Sequence, residues 1–115
     1  MNRCTFFGEL LGDAVLIHED GSMLSEEELE LGEQFAGISF SIVAKSRRAN
    51  QPRRIDTSRL TCNAWGSAAD VIYETIQSMV SLPAPEDKIL ILIKDATAKT
   101  HEGNVTFRVN DFELI

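Results

Sequence analysis

Four stretches of the chain alternate apolar and polar residues with a period of two, and one stretch alone carries the period of a helix. In residues 2–11, Cys4, Phe6, Gly8 and Leu10 fall on one face of a strand, and Arg3, Thr5, Phe7 and Glu9 on the other. Residues 37–45 set Ile38, Phe40, Ile42 and Ala44 against Ser39, Ser41, Val43 and Lys45. Residues 57–65 turn Leu60, Cys62 and Ala64 inward and leave Arg59, Thr61, Asn63 and Trp65 side by side on the outer face. Val105, Phe107 and Val109 alternate with Thr106, Arg108 and Asn110. Half-apolar strands repeated in this way must close over a shared core. The exception is residues 67–82, where Ile72, Ile76, Met79 and Val80 stand at i, i+4, i+7 and i+8, the stripe of an amphipathic helix.

Local signals place the joints. Gly12-Asp13 predicts a bend in the first strand, which residues 14–17 extend. Asp20-Gly21-Ser22 predicts a turn, and Ser25 with Glu28 three positions later is a capping box that opens one or two helical turns ending near Gly32. Residues 46–55 hold Asn50, Pro52 and four arginines with no apolar period, and predict a loop. Pro83 and Pro85 end the helix, and residues 88–94, whose apolar core is continuous between Lys88 and Lys94, predict a strand covered on both faces. A hairpin turning at Glu102-Gly103 follows, and the opposite phase of Phe112 and Leu114 predicts a bulge at Asn110-Asp111. Three strands, a helix and two strands is the connectivity of an all-β, five-stranded Greek-key barrel, the oligonucleotide/oligosaccharide-binding (OB) fold, here one domain spanning residues 1–115.

Composition narrows the function. With 115 residues and 43% hydrophobic content, the chain can build one core without metal or disulfide support. Cys4 and Cys62 lie far apart in apolar contexts and read as small buried hydrophobes, and neither they nor His18 and His101 stand at a zinc-ligand spacing. No metal and no cofactor is expected. The longest apolar run, residues 89–93, is too short to cross a bilayer, and no secretion signal opens the chain, so a cytoplasmic, nucleoid-associated protein is expected. No phosphate-cradling glycine loop or nucleophile with its base is present, which argues against an enzyme.

Charge is the second strong signal. The net charge is −7, yet Lys45, Arg47, Arg48, Arg53, Arg54 and Arg59 stand in a window of fifteen residues against the single acid Asp56. Glu19, Asp20, Glu26, Glu27, Glu28, Glu30 and Glu33 stand together with no base among them. A charge is felt over only about 8 Å at physiological ionic strength, so a local basic patch on an acidic protein still attracts phosphates.

Met1, Asn2, Gly8, Leu10 and Asp13, the strand from Phe40 to Ala44, the series Cys62, Ala64, Trp65, Gly66 and Ala69, and the ending Asp111, Phe112, Glu113 and Leu114 run in one order across almost the whole chain. In that order they resemble the bacterial-type single-stranded DNA-binding proteins (SSB), and suggest a divergent member of cyanobacterial or plastid type, or an isolated OB domain. The resemblance implies an OB barrel that binds single-stranded DNA without sequence preference in replication, recombination or repair, as a homodimer or homotetramer with replication and repair proteins as partners. A plastid-encoded member would act in the stroma. The sequence departs from the family where aromatic side chains stack on bases: two of those positions hold Arg48 and Arg59, and the third falls in residues 96–101, which contain no Phe, Tyr or Trp. Typical members also carry a long tail with an acidic tip, whereas this sequence stops at Ile115, directly after the expected barrel.

Candidate contacts follow from the two halves of a single-strand site, a positive groove and a stacking surface. Lys45, Arg47, Arg48, Arg53, Arg54 and Arg59 supply phosphate contacts; Thr61, Asn63 and Trp65 share the outer face of the third strand with Arg59. Trp65 stacks on a base or closes the barrel end beside the helix. Phe7 touches the strand or packs in a subunit interface. The acidic segment is a solvated helix face or competes with nucleic acid for the arginines. Single-stranded DNA is the expected partner, with RNA admitted by the same chemistry and no membrane contact. The rival function is a protein–protein interaction module or a primosome-accessory protein that kept the barrel and lost the stacking platform.

Overall fold

The computed structural model describes residues 3–48, 51–81 and 89–115, and for residues 3, 45–48, 51–56, 80, 81 and 101 the main-chain course alone. Its first strand, β1 (Arg3–Ile17), runs through the bend expected at Gly12-Asp13: the ladder with the second strand, β2 (Gly37–Arg48), shifts register between Leu10 and Ala14. The bend lets one strand serve two neighbours. Arg3 to Glu9 pair with β4 (Leu90–His101), and Glu9 to Ile17 pair with β2, so β1 bridges the sheet rather than forming one simple edge.

Between β1 and β2 the acidic segment folds back on the barrel. The Ser25 hydroxyl accepts from the Glu28 backbone N–H at 3.2 Å, the Glu28 carboxylate accepts from the Ser25 N–H at 3.3 Å, and α1 (Glu26–Glu30) starts there. His18 Nε2 stands 2.8 Å from the Glu28 carboxylate, which ties the short helix to the end of β1. The turn at Gly32, with φ at 73°, ends it where the sequence predicts.

β2 pairs antiparallel with β3 (Gln51–Trp65) along its whole length, from Gly37↔Trp65 to Arg48↔Gln51. This corrects the loop expected over residues 46–55. An apolar period reports which side chains are buried, whereas a ladder needs only backbone donors and acceptors, so a hairpin arm leaves no periodic trace. The register steps between Arg47 and Arg48 opposite Pro52, Arg53 and Arg54; a proline, which lacks an N–H, is tolerated at such a bulge.

β3 runs directly into α2 (Gly66–Ser81), which starts at Gly66 rather than Ser67 and lays Ala69, Ile72 and Ile76 on the barrel. Pro83 and Pro85, expected to stop it, lie outside the described residues. β4 then pairs with β1 on one side and β5 (Asn104–Leu114) on the other, and β5 closes the barrel by a short parallel ladder to β3: Thr61↔Thr106, Cys62↔Phe107, Asn63↔Arg108. The strand order is β1-β2-β3-β5-β4 in a closed barrel with the helix between β3 and β4, the OB topology.

Inside lie Leu10, Ile38, Phe40, Ile42, Cys62, Ala64, Ile91, Ile93, Ala96 and Val109. Register shifts on either side of Asp95 leave Asn110 without an opposite residue, the bulge that the change of phase predicts. Cys4, expected to be buried, is only half-buried near the start of β1, and two further details differ from the sequence reading. Val105 is exposed, because it sits beside the β4–β5 turn beyond the core, and Leu90 and Leu92 are half-buried, because α2 covers β1, β2 and β3 rather than the outer face of β4.

Candidate nucleic-acid interface

Residues directly opposite in a ladder share a face, so register alone assembles the outer surface of β3. One row runs across five strands: Val15, Ser39, Asn63, Arg108 and Thr97. The row beside it holds Ser41, Thr61, Thr106 and Lys99, and beyond Asn63 lies Trp65, paired with Gly37. Thus Thr61, Asn63 and Trp65, the outer residues read from the sequence, are joined by Lys99 and Arg108 from the far hairpin. Sequence reasoning left these two cations aside. The alternation of β5 puts Arg108 on an outer face, but only the parallel β3–β5 ladder, between segments more than forty residues apart, says which face that is.

Trp65 is half-buried and stands outside the barrel core, its ring packed on the bare α-carbon of Gly37. With Phe35, Ala36, Lys99, Arg108, Glu19 and Asp20 it lines a cleft of about 690 Å³. The Ser22 N–H and hydroxyl donate to the Asp20 carboxylate at 2.9 and 2.6 Å, and these bonds hold its pKa below the ordinary aspartate value. Asp20 is therefore anionic throughout the neutral range, on the same cleft as two cations. Among the described residues neither Lys99 nor Arg108 has an ion-pair partner. Glu19 and Asp20 of the acidic segment thus share this cleft with the two cations, while the side chains of the arginine loop, residues 46–55, for which the segment was expected to compete, lie outside the described residues.

A second cleft, of about 310 Å³, opens on the same face across the Gly21 turn. Val15 and Met23 form its apolar wall, and Ser39, Thr61, Asn63 and Thr106 its polar one.

The remaining candidates are placed as follows. Arg59, exposed on β3, is ion-paired to Asp13 at the bend of β1. Lys45, Arg47 and Arg48 on β2 and Arg53 and Arg54 on β3 occupy the two arms of one hairpin, so the main chain brings the cluster together; their side chains lie outside the described residues. Phe7 is not part of this assembly. It is 47% exposed and pairs with Leu92 on the β1–β4 side, in a row that ends at Glu113, whose carboxylate stands 3.3 Å from the Lys94 ammonium. Cys62 is buried in the core, which pushes its thiol up to about 12. Among the described residues no group of His, Cys, Asp and Glu side chains is placed to hold a metal ion, and no helix is long and apolar enough to cross a membrane.

No protein-family model and no curated protein sequence matches the chain. Among solved structures, a small single-stranded DNA-binding protein from Streptomyces coelicolor matches with TM-score 0.45 and 11% identity over 96% of this chain and 89% of that one. A Plasmodium falciparum SSB in complex with ssDNA matches with TM-score 0.48 and 10% identity over 100% of this chain and 93% of that one. A small single-stranded DNA-binding protein from Mycoplasma pneumoniae matches with TM-score 0.54 and 16% identity over 98% of this chain and 92% of that one. At that identity the likeness shows architecture alone, the five-stranded OB barrel with its helix between β3 and β4.

Proposed function

We propose that this OB domain binds single-stranded DNA without strong sequence preference, and so protects and organises exposed strands in replication, recombination or repair. The observation that carries the reading is the juxtaposition of the protein's only tryptophan with two cations, Lys99 and Arg108, that have no ion-pair partner among the described residues, on one cleft. A tryptophan face and a positive track are the two elements from which single-strand sites are built, stacking being worth about 1–3 kcal/mol per base. The hairpin arms bearing Lys45, Arg47, Arg48, Arg53 and Arg54 extend the track, and Arg59 joins it on exchange of Asp13 for a phosphate. The likeness of fold to the small single-stranded DNA-binding protein of Mycoplasma pneumoniae supports the same reading. Titration of a labelled oligonucleotide at low salt tests it: binding that weakens with salt is expected, and no binding at low salt overturns it.

The same reading includes self-association. Phe7, 47% exposed, stands on the stretch of β1 that pairs with β4, away from the Trp65 cleft. A large exposed apolar side chain on a strand suits contact with a second copy of the chain. A homodimer or homotetramer is expected in light scattering, and a single 12.8 kDa species at micromolar concentration overturns that part.

A second reading rests on the acidic segment. Met23, Leu29 and Leu31 are exposed there, at 66%, 46% and 75%, among seven carboxylates. Exposed apolar side chains on an acidic surface suit a basic protein partner, and this surface remains available when strand binding fails.

A further inference from the structure

The smaller cleft on the β3 face differs in chemistry from the one beside Trp65. It contains no charged side chain. Val15 and Met23, 39% and 66% exposed, offer apolar surface, while Ser39, Thr61, Asn63 and Thr106 turn three hydroxyls and a carboxamide toward the same space. Among the described residues none of these four side chains has a hydrogen-bond partner in the protein. By contrast Asn110, at the bulge of β5, donates to the Thr97 hydroxyl at 3.0 Å. A half-buried carboxamide with its donor and acceptor unspent among the described residues, fixed on β3 between β2 and β5, is suited to hold something with a complementary edge.

A volume of about 310 Å³ is at the lower end of small-ligand pockets, which run from about 300 to 1,000 Å³. The larger cleft adjoins across the Gly21 turn, which both share. A strand whose base stacks on Trp65 and whose phosphates meet Lys99 and Arg108 therefore passes the second cleft with a neighbouring base. Phosphate contacts and stacking are indifferent to sequence; hydrogen bonds to a base edge are not. Resting on the single-strand reading above, we infer that this cleft is a base-reading subsite, in which Asn63 pairs with the edge of one unstacked adenine while Met23 and Val15 flank its ring. Adenine follows from the carboxamide, whose donor and acceptor match N7 and the 6-amino group in a two-bonded pair.

The subsite gives a mild preference on top of general binding, and a scan reads it directly. Thymidine oligonucleotides of about 12 nucleotides, within the span one OB barrel covers, carry a single dA, dC or dG guest at each position in turn and are titrated against the whole chain. One guest position is expected to bind about tenfold tighter with dA than with dT, the size of one base-edge contact. Asn63→Ala is expected to abolish that ratio. Asn63→Asp keeps the size and shape of the side chain but has no donor, so it is expected to lose dA preference and gain dC, whose amino group donates to a carboxylate. The ratio between guests is unaffected by a general loss of affinity, and thermal melting of both variants shows that each is folded. Equal affinity for all guests, preference for another base, or a dA preference that survives both substitutions overturns the subsite while leaving strand binding intact. No binding of any oligonucleotide overturns both.

Discussion

The Trp65 ring rests on the bare α-carbon of Gly37, its direct partner across the β2–β3 ladder. A β-carbon there would stand 2.6 Å from Cε3 of the ring and 2.7 Å from the Ala64 carbonyl oxygen. Gly37→Ala is therefore expected to push the ring off its seat and strain the ladder, at a cost of about 1–3 kcal/mol. Urea denaturation measures the cost, and Trp65, the only tryptophan, reports its own displacement by fluorescence.

Replacing Trp65 itself separates stacking from charge. Trp65→Leu is expected to weaken strand binding by about 1–3 kcal/mol with the salt dependence nearly unchanged. Lys99→Ala with Arg108→Ala is expected to do the reverse, making the slope of log affinity against log salt shallower by about 1.4, since each single-strand phosphate contact contributes about 0.7. A double variant with the parent slope would remove this cleft from the phosphate track. Arg53→Ala with Arg54→Ala tests the hairpin by the same measure.

Asp13 restrains Arg59 in the unbound protein. Both partners are about 60% exposed, and such a pair contributes about 0–1 kcal/mol, so Asp13→Asn is expected to leave the melting temperature nearly unchanged. Its effect falls on binding. With Arg59 released, affinity should rise while the salt slope stays near that of the parent, in which Arg59 meets a phosphate by exchange; Arg59→Ala should make that slope shallower by about 0.7, and an unchanged slope in Arg59→Ala would show that Arg59 does not reach the backbone.

Burial of Cys62 predicts a pH response of definite sign. Its thiol stays protonated in the folded protein up to about 12, whereas in the unfolded chain it ionises at the ordinary thiol value near 9. Above pH 9 the unfolded state binds fewer protons, so this group lowers stability as pH rises from 9 toward 12 and has no effect below. Urea midpoints of parent and Cys62→Ala proteins across pH 8–11 isolate the contribution as a difference in slope. In the native protein at neutral pH, Cys62 is expected to resist alkylation until the barrel opens.

Much of the barrel was legible in the sequence because burial imposes a period. Phe40 and Ile42, Cys62 and Ala64, Ile72 and Ile76 lie in the core where alternation and the helical stripe put them, and the Ser25–Glu28 cap and the Asn110-Asp111 bulge carry signals of their own residue types. Thr61, Asn63 and Trp65 were legible as an outward row for the same reason. The hairpin through residues 46–55 was not, because main-chain pairing beyond the core imposes no pattern on side chains. Nor were Lys99 and Arg108 legible as neighbours of Trp65. Their place depends on the parallel closure of β5 on β3, a contact between distant segments whose register is set by the packing of the whole barrel. Alternation along each strand tells which side chains face in and which face out; which outward residues meet is settled by the closure of the barrel, because a strand's period of two carries no information about its neighbour.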